Sequence, residues 1–163
     1  YDDLSYLVRK DHVHYLKQKI NLVDYIRSRI DFFAQVADKA KSQFIFETHC
    51  DQAFIYFNET KLQRIIDNNL TNAIKYTFEH EKIIVSLRKE KDSYHFCIAS
   101  HSRKIQKPEK IFEEYYREEQ AQDGFGLGLN LVKRICKEED VKITLYSDEM
   151  TTSFSYQFKA LNA

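Results

Sequence analysis

Arg64-Ile65-Ile66-Asp67-Asn68-Asn69-Leu70-Thr71-Asn72-Ala73-Ile74-Lys75-Tyr76-Thr77 reads as the second half of a helix that Asn58 caps and that runs over about 59–77. Ile66, Leu70, Ala73 and Thr77 recur at helical spacing and are expected to face a sheet. Asparagine costs a helix roughly half a kcal/mol against alanine, yet three stand within five positions here. A local rule broken this often marks a site. Asn68 and Asn72 are i and i+4 and share a face, which Lys75 and Tyr76 continue. Two amide oxygens beside an ammonium and a phenol suit a hydrated magnesium ion carrying phosphates, because Mg2+ keeps several waters and takes few protein oxygens. On this helix alone, a plain polar face is the other reading. The glycines downstream weigh against it.

All three glycines of the 163-residue chain fall in one window, Gly124-Phe125-Gly126-Leu127-Gly128. A chain of average composition would carry roughly four times as many, scattered over turns and caps. Left-handed turns elsewhere must be made by other residues, so the cluster is reserved for one task. Glycine lets backbone approach a ligand closely. Leu127, Leu131, Val132, Ile135 and Cys136 are apolar at helical spacing. A glycine loop opening into a helix N-terminus is a phosphate cradle. The better-known cradles do not fit. A phosphate-loop NTPase needs Lys-Ser/Thr where Asn130-Leu131 stands, and a dinucleotide fold needs a strand where residues 117–123 run. A protein-kinase glycine loop lies in a hairpin.

Working outward, residues 1–20 place Leu4, Leu7, Val8, Tyr15 and Leu16 on one stripe and predict an amphipathic helix. Asn21 caps a second helix through Ile26, Ile30, Phe33, Val36 and Ala37 to about Lys41. β-type runs follow at Phe44–Thr48 and Ala53–Phe57, joined by a turn around Cys50-Asp51-Gln52. Further runs lie at Lys82–Lys89, Tyr94–Ser100, Val141–Ser147 and Ser153–Lys159. Residues 101–123 are polar, hold the only proline, Pro108, and carry one aromatic patch at Ile111-Phe112-Glu113-Glu114-Tyr115-Tyr116. Helices segregated from largely hairpin-connected strands predict an α+β fold. The expected form is a two-layer α/β sandwich, a mixed sheet of about five strands with three helices on one face.

The 25 Lys+Arg balance the 25 Asp+Glu without segregation, which argues against a nucleic-acid or membrane-surface role. Cys50, Cys97 and Cys136 are far apart, with no CxxC, and read as reduced thiols. His49, His80, His95 and His101 lack ligand spacing, so no zinc site is expected. No signal peptide or bilayer-spanning run is seen. The chain opens at Tyr1 within helical periodicity and reads as part of a longer protein.

The order of asparagine helix, two strands, polar lid, glycine loop, helix and two strands resembles the ATP-binding catalytic domain of bacterial two-component sensor histidine kinases, in the gyrase/Hsp90/histidine kinase/MutL superfamily. Asn68–Thr77 is similar to the family's N box, Ile111–Arg117 to its F box and Gly124–Leu129 to its G2 box. The resemblance implies ATP and Mg2+ as cofactors, with Asn72 ligating the metal and Asn68 helping. It implies Lys75 near the phosphates, Tyr76 near the adenine or ribose, and Arg117 on a lid over about 103–123, within reach of the terminal phosphate. The backbone of Gly124, Gly126, Leu127, Gly128 and Leu129 would wrap the phosphate chain. Residues 1–20 would be the C-terminal helix of the dimerisation and phosphotransfer region, and 21–163 the catalytic domain. The implied partners are an upstream phosphoacceptor helix, a response-regulator receiver domain and a second copy in a full-length homodimer. The implied place is the cytoplasmic part of an inner-membrane sensor.

Two departures bear on function. The family's G1 box, Asp-x-Gly-x-Gly, is replaced by Ser100-His101-Ser102-Arg103-Lys104. Ser100 stands where an aspartate would accept from the adenine amino group, which predicts weaker or less adenine-selective binding. His12 and His14 lack the phosphoacceptor context and read as solvated helix histidines, so this chain is expected to bind ATP without autophosphorylating. Asn68, an amide that cannot act as a base, favours phosphoryl transfer over hydrolysis. A degenerate interaction module and an ATPase of the same superfamily are the alternatives.

Overall fold

The computed structural model describes residues 16–113 and 128–161. In chain order it runs β1 (Gln18–Asn21), α1 (Leu22–Lys39), β2 (Gln43–Thr48), β3 (Phe54–Phe57), α2 (Glu59–Tyr76), β4 (Lys82–Glu90) and β5 (Ser93–His101). A 3-10 turn (Pro108–Lys110), α3 (Gly128–Glu138), β6 (Lys142–Ser147) and β7 (Thr151–Lys159) complete it. The fold is the expected α+β sandwich, with a five-stranded mixed sheet in the order β2-β4-β5-β7-β6.

Period-two alternation builds the sheet's inner face. Val85 and Leu87 of β4 lie opposite Ile98 and Phe96 of β5, and Ile98, Phe96 and Tyr94 lie opposite Phe154, Tyr156 and Phe158 of β7. Onto this face pack Leu22, Val23 and Ile26 of α1, Leu62, Ile65, Ile66 and Leu70 of α2, and Leu131, Val132, Ile135 and Cys136 of α3, all buried. Ser86, Cys97, Ser155 and Gln157, one residue out of phase, occupy the opposite face and are only half-buried. Among the described residues no helix is long and apolar enough to cross a membrane.

Both expected N-caps form. Asn21 Oδ1 accepts from the Val23 N–H at 3.2 Å and from the Ala53 N–H at 2.9 Å. Asn58 Oδ1 accepts from the Lys61 N–H at 2.9 Å. Two expectations fail. Residues 18–20 are not helical but belong to β1, which pairs antiparallel with β3 and sets Ile20 opposite Ile55. That pairing buries both isoleucines, a long-range gain that local periodicity does not report. β2 and β3 are not partners across the turn at residues 50–52. β2 instead joins β4 in parallel, placing Phe44 beside Ile83 and Phe46 beside Val85.

Charged pairs lock the helices to one another. Arg29 of α1 grips Asp67 of α2 in a two-pronged contact, Nε–Oδ1 at 2.9 Å and Nη2–Oδ2 at 2.7 Å. Lys61, at the start of α2, meets Glu139 just past α3 at 2.7 Å and Glu138 at 3.4 Å, and Lys17 adds a 3.2 Å contact to Glu139. Burial pushes the Glu139 carboxyl up, but Lys61 and Lys17 outweigh it and hold the group below its ordinary value of 4.5.

Left-handed backbone falls to non-glycine residues, as the concentration of glycines requires. Lys41 (φ 61°), His80 (φ 68°), Lys91 (φ 57°) and Asp140 (φ 58°) take those positions. Lys41 closes α1, with the Ser42 N–H bonding back to the Ala37 carbonyl at 2.9 Å. A lysine there carries a Cβ penalty that glycine avoids. Lys41→Gly is therefore expected to stabilise the domain by about 1 kcal/mol, seen as a melting-temperature rise of about 2–4 °C.

A depressed carboxyl contributes stability above its unfolded pKa and loses it as pH falls through its folded pKa. Glu139→Gln should cost about 1.5–3 kcal/mol at neutral pH in denaturant melts. Its loss of stability below about pH 4.5 should be shallower than that of the unaltered chain.

Candidate functional site

One cavity of about 170 Å³ opens between α2, the ends of β5 and β7, the segment after β5 and the N-terminus of α3. Its α2 wall is Asn69, Asn72, Ala73 and Tyr76; Ile98, Ser100, Thr152 and Phe154 come from the sheet, and Leu129 from α3. Ser102, Arg103, Lys104, Ile105, Gln106 and Ile111 bound the remaining side. Among these lining residues there is no Asp or Glu, and Arg103 and Lys104 are the cationic ones.

Of the residues singled out by sequence, Asn72, Tyr76, Ser100 and Leu129 come together here. Asn68 lies one helical turn away, on the flank facing α3. Its Nδ2 donates to the Arg64 carbonyl at 2.8 Å, which leaves Oδ1 as the outward acceptor. A Cβ on Gly128 would lie 2.6 Å from that oxygen. Glycine at 128 thus lets the start of α3 lie against the Asn68 amide without displacing it. Burial pulls the Arg64 guanidinium, one turn before Asn68, down to about 10, against the opposing pull of Asp67. Lys75 is exposed and outside the lining. Arg117, Gly124, Gly126 and Leu127 lie outside the described residues.

The cavity has a direction along α2. At one end Gly128 abuts Asn68. At the other, Thr77 Oγ1 and the Phe78 N–H both donate to the His101 carbonyl, at 3.2 and 2.7 Å. Asn72, Ala73 and Tyr76 span the interval between. The helix N-terminus, which attracts anions, stands at the Asn68 end. The apolar walls and the Ser100–Thr152 pair stand at the other.

Sequence reading missed two participants. Asn69 is 2% exposed and fully engaged. Its Oδ1 accepts from the Tyr156 hydroxyl at 2.9 Å, and its Nδ2 donates to the Ile65 carbonyl at 2.7 Å. Burial holds the Tyr156 phenol far above its ordinary value, so it stays protonated and donates. Thr152 sits directly opposite Ser100 and shares a 2.9 Å hydrogen bond with Ser147 Oγ. Its sequence signal was available: Thr152 stands in phase with Phe154, Tyr156 and Phe158, a hydroxyl on an otherwise apolar strand face.

The segment after β5 does without glycine because it does not need it. No residue from 100 to 106 takes a positive φ. The segment is stitched to the β6–β7 edge by the Ser102 N–H to the Met150 carbonyl (3.1 Å) and the Ile105 N–H to Ser147 Oγ (2.9 Å). Phe112, from the aromatic patch, makes an edge-on contact with Phe154, centroids 5.9 Å apart. The Phe112 carbonyl also accepts from Asn130 Nδ2 at 3.3 Å. Among the described residues the buried Oδ1 of Asn130 has no partner.

The family model described as histidine kinase-, DNA gyrase B-, and HSP90-like ATPase matches residues 57–161. The sensor histidine kinase HprS of Escherichia coli (strain K12) is 32% identical over 139 residues, covering 83% of this chain and 28% of HprS. This chain thus spans under a third of that relative. Among solved structures, the catalytic domain of histidine kinase ThkA in a nucleotide-free form superposes with a TM-score of 0.79 at 24% identity, over 88% of this chain and 95% of that one. ThkA in complex with the response regulator protein TrrA gives 0.80 at 21% identity, over 97% and 46%.

Asn69→Leu should leave the Tyr156 hydroxyl buried without an acceptor and cost about 1–3 kcal/mol in a denaturant melt. Combining it with Tyr156→Phe should recover part of that loss, because both unmatched groups are then gone.

Proposed function

Because the chain belongs to the histidine kinase-, DNA gyrase B- and HSP90-like ATPase family, we propose that it is the catalytic domain of a sensor histidine kinase. In this reading it binds MgATP and passes the γ-phosphoryl to a histidine on a phosphoacceptor helix, for relay to a response-regulator aspartate. The observation that carries the reading is the direction of the cavity. A glycine-started helix N-terminus and two asparagines lie at one end, and an apolar slot closed by hydroxyls lies at the other. A nucleoside triphosphate has the same polarity, charge at one end and a flat base at the other.

ATP would lie along α2, with its phosphates over the Gly128–Leu129 backbone and its base near Tyr76 and Ser100. Among the described residues no three His, Cys, Asp or Glu side chains cluster to hold a metal. A magnesium ion would therefore be held by the Asn72 amide, with Asn68 beside it, and by phosphate oxygens and water. The ion supplies charge neutralisation on the phosphates. The chain's own contribution is orientation: α2 and α3 position the triphosphate, and Asn68 provides no base to activate water. Lys75 and Arg117 are assigned as phosphate-facing cations, Lys75 reaching inward when the triphosphate is present. The acceptor histidine and the dimer partner belong to the longer sensor protein, and nucleic acid has no part in the reading.

Calorimetric titration tests this directly. MgATP should bind the unaltered chain, Asn72→Ala should remove the magnesium-dependent part of the affinity, and steady-state hydrolysis should be absent in both. No heat at millimolar nucleotide would end the nucleotide reading, and sustained hydrolysis would favour an ATPase.

A further inference from the structure

Resting on the reading of the cavity as a nucleoside triphosphate site, we infer that its closed end accepts 6-aminopurine and 6-oxopurine bases alike. The Ser100 and Thr152 hydroxyls are the groups that meet the base edge. The direction of the cavity places them there. The triphosphate belongs over the α3 N-terminus beside Asn68, so the base lies toward Ala73, Tyr76 and Ile98, with Ser100 and Thr152 across β5 and β7 from each other.

The two base classes present inverted edges. A 6-aminopurine offers a donor at C6 and an acceptor at N1; a 6-oxopurine offers an acceptor at C6 and a donor at N1. An ionised carboxylate only accepts, so one facing the C6 substituent would bond the amino group of the first and repel the carbonyl of the second. No carboxylate lines this cavity among the described residues. A hydroxyl rotates its proton and serves either edge. Ser100 is buried, and its hydroxyl makes no hydrogen bond to the protein among the described residues. Thr152 Oγ1 shares its bond with Ser147 Oγ, and either oxygen can be the donor, so its polarity is reversible too. Asn69, the neighbouring amide, is bound at both polar atoms to Tyr156 and Ile65 and imposes no polarity on a guest. Discrimination by 10⁴ or more arises when the wrong edge leaves buried polar groups unpaired. Here neither edge does so.

Competition calorimetry with ATP and ITP, both with magnesium, decides the matter, since ITP carries the 6-oxopurine edge without an added 2-amino group. The expected result is an ITP dissociation constant within about tenfold of that for ATP. Ser100→Asp should widen the ratio by more than tenfold, through lost ITP binding with ATP retained. Ser100→Ala, a small change that keeps the strand, should weaken both nucleotides by a similar factor of about two to ten. Binding of ATP with ITP more than tenfold weaker, or a ratio unmoved by Ser100→Asp, overturns this inference and leaves the MgATP reading standing. Binding of neither nucleotide by a chain that still melts cooperatively overturns both.

Discussion

The Tyr156 hydroxyl reaches from the middle of β7 to the Asn69 amide on α2, a 2.9 Å bond between two groups that water does not reach. Apolar packing alone would let a helix slide or roll on a sheet, because burial has no direction. A buried hydrogen bond does have one, and leaving it unmade is costly. This bond sets the roll of α2, so that Ala73 and Tyr76 line the cavity with Asn72 while Leu62, Ile65, Ile66 and Leu70 stay in the core. It also sets where Asn68 faces. With that side chain against Gly128, α3 runs back antiparallel along α2 until Lys61 meets Glu139. The direction of the site follows from this one rotational setting.

The economy of glycine has a structural counterpart. Four helix ends and turns adopt left-handed backbone with lysine, histidine or aspartate, and the segment from Ser100 to Gln106 avoids positive φ altogether. At Gly128, by contrast, the constraint is steric rather than conformational, since a Cβ there would meet Asn68 Oδ1 at 2.6 Å and force that amide to move. The opposite end of the cavity is lined by strand residues and by the segment after β5, with the Ser100 and Thr152 hydroxyls among them.

Local chemistry made much of this legible in the residues. Asn21 and Asn58 announce helix starts because a side-chain oxygen must satisfy orphan N–H groups. Alternation in β4, β5 and β7 announces which face is buried. Asparagines at 68 and 72 announce a polar role because nothing in a helix rewards them. What escaped was long-range. Residues 18–20 looked like the end of a helix until β3 arrived to pair with them, and β2 looked joined to β3 by a turn until β4 bound it in parallel. Asn69 was not singled out as a site residue, yet the roll of α2 sets it on the cavity wall beside Asn72.

By itself the sequence determined the helix boundaries at their caps, the inward face of each central strand, the two-layer class and the kinship of the asparagine and glycine segments. Each rests on interactions within a few residues or on a fixed period. Only the tertiary structure decided the partners of β1, β2 and β3, the roll of α2, and the meeting of Ser100 with Thr152 across two strands distant in the chain. Those depend on which distant groups can satisfy one another once water is excluded, and periodicity along a chain carries no record of that choice.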